Sequence, residues 1–179
     1  MSIPEFPYRD HWFRSEILIE LASIKKLIEE MPFKQISGEA VQKHRDFYRI
    51  CMSSIIRAVS NADNNCTRTV IRKRLNKQVN PGQALSSFKK VIETNVPKMT
   101  EFSRVYPQGY IVDIRENDDA RKVTFDRLVD LVVTSPPYIN ACDYLRTHQL
   151  EMYWLGLLNN DVLANTKRHY IGTRGRKSS

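Results

Sequence analysis

The amino-acid sequence predicts an α/β protein with an N-terminal helical region, on three observations. Apolar residues recur at steps of three and four as far as Tyr106, β-branched runs appear only after Pro107 and Gly109, and a second helical pattern follows from Tyr144. The expected organisation is a helical region over 1–106 with a basic loop at 63–82, a partial α/β core over 107–166, and a basic tail at 167–179. No internal repeat or low-complexity tract interrupts this order.

From Asp10 to Met31, the residues Phe13, Ile17, Leu21, Ile24 and Ile28 form one apolar stripe among Lys and Glu, the pattern of an amphipathic helix that Pro32 stops. Ser37 is placed to cap a second helix, which carries Ala40, Phe47, Ile50, Cys51, Ile55 and Val59 and runs to about Asn61. Asn61, Asn64, Asn65, Asn80 and Pro81 mark 60–82 as a long loop, and it bears Arg68, Arg72, Lys73, Arg74 and Lys77. A third helix is expected from Ala84 to about Tyr106. Pro97 should kink or divide it, because proline lacks an N–H and its ring crowds the preceding turn.

Tyr110-Ile111-Val112 and Val129-Asp130-Leu131-Val132-Val133 read as two strands. The second is apolar on successive residues, as expected of a strand buried on both faces of a parallel sheet. Leu145, Leu150, Tyr153, Trp154 and Leu157 then predict a helix from Tyr144 to Leu158.

A length of 179 residues suffices for one domain with a core, and the net charge of +8 makes a polyanion the natural partner. Nucleic acid is favoured over an anionic membrane, since clustered Lys and Arg gain affinity by releasing counterions from phosphates. No apolar run approaches the roughly 20 residues that span a bilayer. Pro4, Glu5, Pro7 and Asp10 do not fit a signal peptide, so a cytoplasmic location is expected. The three cysteines, Cys51, Cys66 and Cys142, lack CxxC spacing and the four histidines make no ligand pair with them, so neither a disulfide nor a metal site is expected.

The segment Thr134-Ser135-Pro136-Pro137-Tyr138 stands at the C-terminal end of the second predicted strand, where open α/β sheets place ligands. Its two prolines fix φ and remove two backbone donors, leaving a stiff loop whose carbonyl oxygens are acceptors. Such a surface suits a ring-conjugated amine, a poor nucleophile until its N–H groups are held and its nitrogen pyramidalises. Ser135 Oγ and the Pro136 carbonyl would hold it. Tyr138 offers a flat face for a base swung out of a helix, replacing stacking of about 1–3 kcal/mol.

Asp119-Ala120-Arg121, the run from Val129 to Tyr138, Asp143-Tyr144-Leu145-Arg146 and Ile171-Gly172 together resemble the S-adenosylmethionine-dependent DNA amino-methyltransferases. Ser135 to Tyr138 is similar to the motif IV loop of that family, written (Asp/Asn/Ser)-Pro-Pro-(Tyr/Phe/Trp), and Arg9, Trp12 and Phe13 resemble its segment before the helices. The resemblance implies a Rossmann-like fold, S-adenosylmethionine as cofactor, DNA as partner, and methyl transfer to an exocyclic amine. A serine in first place suggests cytosine N4 rather than adenine N6. An acidic residue would accept a hydrogen bond from the cofactor's adenine; Asp119 fits, and Asp113 in Asp113-Ile114-Arg115 is the alternative.

One departure is large. No Phe-x-Gly-x-Gly turn follows a strand, although the family uses it to bring backbone close to the methionine end of the cofactor. The expectation is that a complementary chain or segment carries it, before Met1 or after Ser179. Bland readings stand beside these. Ser-Pro-Pro-Tyr alone is also an ordinary turn or polyproline ligand, Asp113 and Asp119 also fit a solvated acidic loop, and the cations from Arg68 to Lys77 also fit an exposed one. The rival functions are an amine methyltransferase for RNA or protein, and a catalytically inert DNA- or partner-binding remnant.

Overall fold

The computed structural model of the chain describes residues 2–32, 38–106, 112, 124–125, 128–135 and 144–159. Its helices are α1 (Arg9–Trp12), α2 (Ser15–Glu30), α3 (Glu39–Ile56), α4 (Gln83–Val105), α5 (Tyr144–Thr147) and α6 (Gln149–Leu155), with a 3₁₀ turn at Lys73–Leu75. Among the described residues there is no strand, and no helix is long and apolar enough to cross a membrane.

The stripe read from the sequence is the buried side of α2: Ile17, Leu21, Ile24 and Ile28 are all at most 2% exposed. They meet Met52, Ile55 and Ile56 of α3 and Ala84 and Phe88 of α4, and α2, α3 and α4 pack against one another. Burying each of the larger side chains contributes about 1.5–3 kcal/mol. Leu150, Tyr153 and Trp154 of α6 join the same core, so residues from both sides of position 106 share it. Trp154 meets Phe13 edge-on at 6.0 Å, and Tyr153 stacks on Phe6 at 4.7 Å.

Several boundaries differ from the sequence expectation. The first helix is two, because Phe13 and Arg14 are extended. The carbonyl of Trp12 accepts from the Asn61 backbone, that of His11 from the Asn61 side chain, and Arg14 donates to the Val79 carbonyl. The Ser37 cap lies outside the described residues, and α3 starts after Gly38 and ends at Ile56, before Asn61. Helix α4 runs through Pro97 undivided. The proline leaves one carbonyl, that of Glu93, without its helical donor, and this stretch of α4 is exposed, so water can serve it. The last helix is interrupted at His148, Leu157 faces solvent, and Leu158 is buried instead.

The N-terminus of α4 has no capping side chain of its own. Glu20 of α2 supplies one: its carboxylate accepts from the backbone N–H groups of Gly82 at 2.5 Å, Ala84 at 2.9 Å and Leu85 at 3.3 Å. Gly82 has φ +84°, a conformation that suits glycine at this turn.

The run 128–135 is described and does not form a strand. Leu131, Val132 and Val133 are 79%, 72% and 86% exposed, where the sequence pattern predicts burial on both faces. A strand of this kind is buried only between neighbours on either side, and among the described residues no strand pairs with it.

Candidate functional site

The basic loop between α3 and α4 is a built structure. Asp63, the sole acid between Arg57 and Gly82, is buried and pairs with Arg72 at 3.2 Å. Its carboxylate also accepts from the Asn65 N–H at 2.9 Å, and its own N–H donates to the Val70 carbonyl at 2.8 Å. Lys77 closes the other side, donating to the carbonyls of Arg57 (3.0 Å) and Ala62 (2.8 Å) and to Asn64 Oδ1 (2.9 Å). Burial pulls the Lys77 ammonium down to about 8, against the opposing attraction of Asp63.

Arg57, directly after α3, is the node between this loop and the helices that follow the Ser135–Tyr138 segment in the chain. Its guanidinium donates to the Cys66 carbonyl at 2.9 Å, to Thr69 Oγ1 at 3.1 Å and to the Thr147 carbonyl. Thr69 Oγ1 lies 2.7 Å from the Arg146 carbonyl and 3.1 Å from that of Thr147. A hydroxyl has one proton to give, and the shorter contact takes it. The carbonyls of Arg146 and Thr147 end α5, where helix carbonyls lack intrahelical partners and a cation is favoured. Glu151 of α6 completes the cluster, 3.9 Å from Arg57 Nε, with side-chain exposures of 17% for Arg57 and 14% for Glu151.

These features sort the residues singled out in the sequence. Arg68, Lys73 and Arg74 are exposed, and Arg72 is exposed while held by Asp63. Lys77 is half-buried with its three N–H donors directed to internal oxygens, so it staples the loop and the phosphate reading rests on the other four. Ser135 is described and exposed. Pro136, Pro137, Tyr138, Asp113, Asp119, Cys142 and the basic tail lie outside the described residues. Among the described residues no group of His, Cys, Asp or Glu is arranged to hold a metal ion.

Sequence reasoning missed Arg57, Thr69 and Glu151. Their partners are as much as 90 residues apart, a distance no local pattern reports. Asp63 was findable, since a lone acid leading a run of cations is the natural counter-ion for one of them.

The chain is 25% identical over 169 residues to the Type II methyltransferase M.MvaI of Kocuria varians. The likeness is to a methyltransferase. The alignment takes in 89% of this chain. It takes in 36% of the relative, so the chain spans about a third of the length of the curated protein it matches. No family model and no solved structure matches the chain.

Proposed function

We propose that this chain is a part of a DNA methyltransferase, acting on an exocyclic base amine, with cytosine N4 favoured over adenine N6. The observation that carries the reading is the likeness to a type II methyltransferase over most of the chain, and the Ser135-Pro136-Pro137-Tyr138 string read from the sequence supports it. S-adenosylmethionine would supply the methyl group, and Asp119 or Asp113 would accept a hydrogen bond from its adenine.

Ser135 Oγ and the Pro136 carbonyl accept the N–H bonds of the base amine, and this matters most as the nitrogen pyramidalises. Tyr138 stacks on the base once it leaves the duplex. Arg68, Arg72, Lys73 and Arg74 contact phosphates; their exposure on a loop held rigid from inside supports this role. The exposed apolar run at 128–133 supports action together with a complementary chain or segment, whose strands would flank this one in a Rossmann-like sheet and carry the glycine-rich turn.

The test is transfer of tritiated methyl from S-adenosylmethionine to unmethylated duplex DNA, by the chain alone and with segments encoded beside it. Digestion of the product and mass spectrometry then identify the modified base. The expected result is N4-methylcytosine with the complementary segment, and a rate reduced roughly ten- to a thousandfold by Ser135→Ala with little change in DNA affinity. Label found on RNA or protein would move the substrate. No transfer under any of these conditions would favour the inert DNA- or partner-binding remnant.

A further inference from the structure

Three observations about the Arg57 cluster bear on how the two halves of the proposed site are held. First, the loop that presents Arg68, Arg72, Lys73 and Arg74 is internally stiff, pinned by Asp63 and Lys77. Second, a polar relay among the described residues joins that loop to the helices beyond Ser135–Tyr138. Arg57 donates to Thr69, Thr69 donates to the Arg146 carbonyl, and Arg57 also reaches the Thr147 carbonyl. Third, α6 is seated on α3 through Leu150 and Trp154, so the relay sets how the end of α5 sits rather than whether the segment is attached.

We propose that Arg57 and Thr69 are positioning residues, which fix the start of the helical segment after the Pro-Pro loop to the loop that meets DNA phosphates. The proposal rests on the phosphate-contact reading of that loop. A shift of the loop on binding DNA is passed through the Thr69 hydroxyl to the end of α5, only a short stretch of chain after Tyr138. Neither residue touches substrate; each acts through the backbone carbonyls of Arg146 and Thr147. The hydroxyl is the informative atom, because Thr69→Val keeps the side chain's shape and removes both the acceptor for Arg57 and the donor to Arg146.

Amide hydrogen exchange on the full chain, with and without a short mixed-sequence duplex, reads both ends of the relay. In the native chain, DNA should slow exchange about threefold or more in 66–76 and also in 144–155. In Thr69→Val the slowing at 66–76 should persist and that at 144–155 should vanish, whereas Thr69→Ser, which keeps the hydroxyl, should restore it. Slowing at 66–76 without any change at 144–155 in the native chain overturns the relay while leaving the phosphate reading intact. So does a Thr69→Val response equal to the native one, which would mean that DNA touches α5 directly. No slowing at 66–76 would overturn the phosphate reading and the relay together. Even if Thr69→Val folds poorly, the native-chain comparison can still overturn the relay.

Discussion

Ile17, Leu21, Ile56 and Trp154 on the packed helices are at most 1% exposed, whereas Leu131 and Val133, equally apolar, are 79% and 86% exposed. The contrast follows from what each kind of element requires. A helix satisfies its own backbone and needs cover along one stripe; α2, α3, α4 and α6 give one another that cover. A doubly buried strand needs hydrogen-bonding neighbours on both edges and layers on both faces. Helix burial is therefore decided within this chain's described helices, whereas a strand at 128–133, as the sequence pattern predicts, would need other strands for its burial.

The largest effect should come from testing that contrast directly. Trp154→Ala removes a fully buried side chain packed on Phe13 and should cost about 3–5 kcal/mol in urea unfolding, whereas Val132→Ala, in a side chain 72% exposed, should stay within about 0.5 kcal/mol. A loss above about 1.5 kcal/mol for Val132→Ala would mean that the segment is already covered in the isolated chain. The same pair measured with the proposed complementary segment sharpens the comparison, since on that proposal Val132→Ala should become costly.

Arg57→Ala comes next. It strips donors from the carbonyls of Cys66 and Thr147 and leaves Glu151, whose side chain is 14% exposed, without its cation. A loss of about 2–3 kcal/mol is expected. An unchanged unfolding midpoint would show that the loop and α6 hold together without the node. Glu20→Gln should cost less, about 1 kcal/mol, because the amide keeps one acceptor oxygen but loses the charge that favours a helix N-terminus. Fraying at 82–86 in hydrogen exchange would locate the loss, and exchange there equal to the native chain would remove Glu20 from the capping role.

What the sequence made legible follows the same division. Periodicity found the buried faces of α2 and α6, because a stripe such as Ile17, Leu21, Ile24, Ile28 is a local property. It did not find the break at Phe13–Arg14 or the cap on α4, since the partners, Asn61, Val79 and Glu20, are remote in sequence. At the candidate site, the Ser135-Pro136-Pro137-Tyr138 string and the cluster of cations were visible as residue types. The use of each cation was not. Arg68, Lys73 and Arg74 face solvent, Arg72 is tied to Asp63, and Lys77 points inward, a distinction that depends on where Asp63, Asn64 and the loop carbonyls come to lie.

Lys77 gives the smallest effect and the sharpest distinction between a lysine built into the loop and one left free on its surface. Its ammonium is pulled from the usual 10.5 down to about 8 by burial. Between those two values the unfolded chain holds a proton that the folded chain has released, so stability rises as pH climbs through that interval. The contribution is fully present above the unfolded value and lost as pH falls through about 8. The side chain is still partly open to solvent, and screening reduces the gain to about 1 kcal/mol. Urea unfolding of the native chain and of Lys77→Met from about pH 7 to about pH 10 isolates it, because other groups titrate alike in both proteins. The stability difference should move in favour of the native chain by that amount. A difference that stays flat would mean that Lys77 remains protonated on its three oxygen acceptors throughout, and that burial costs its charge nothing.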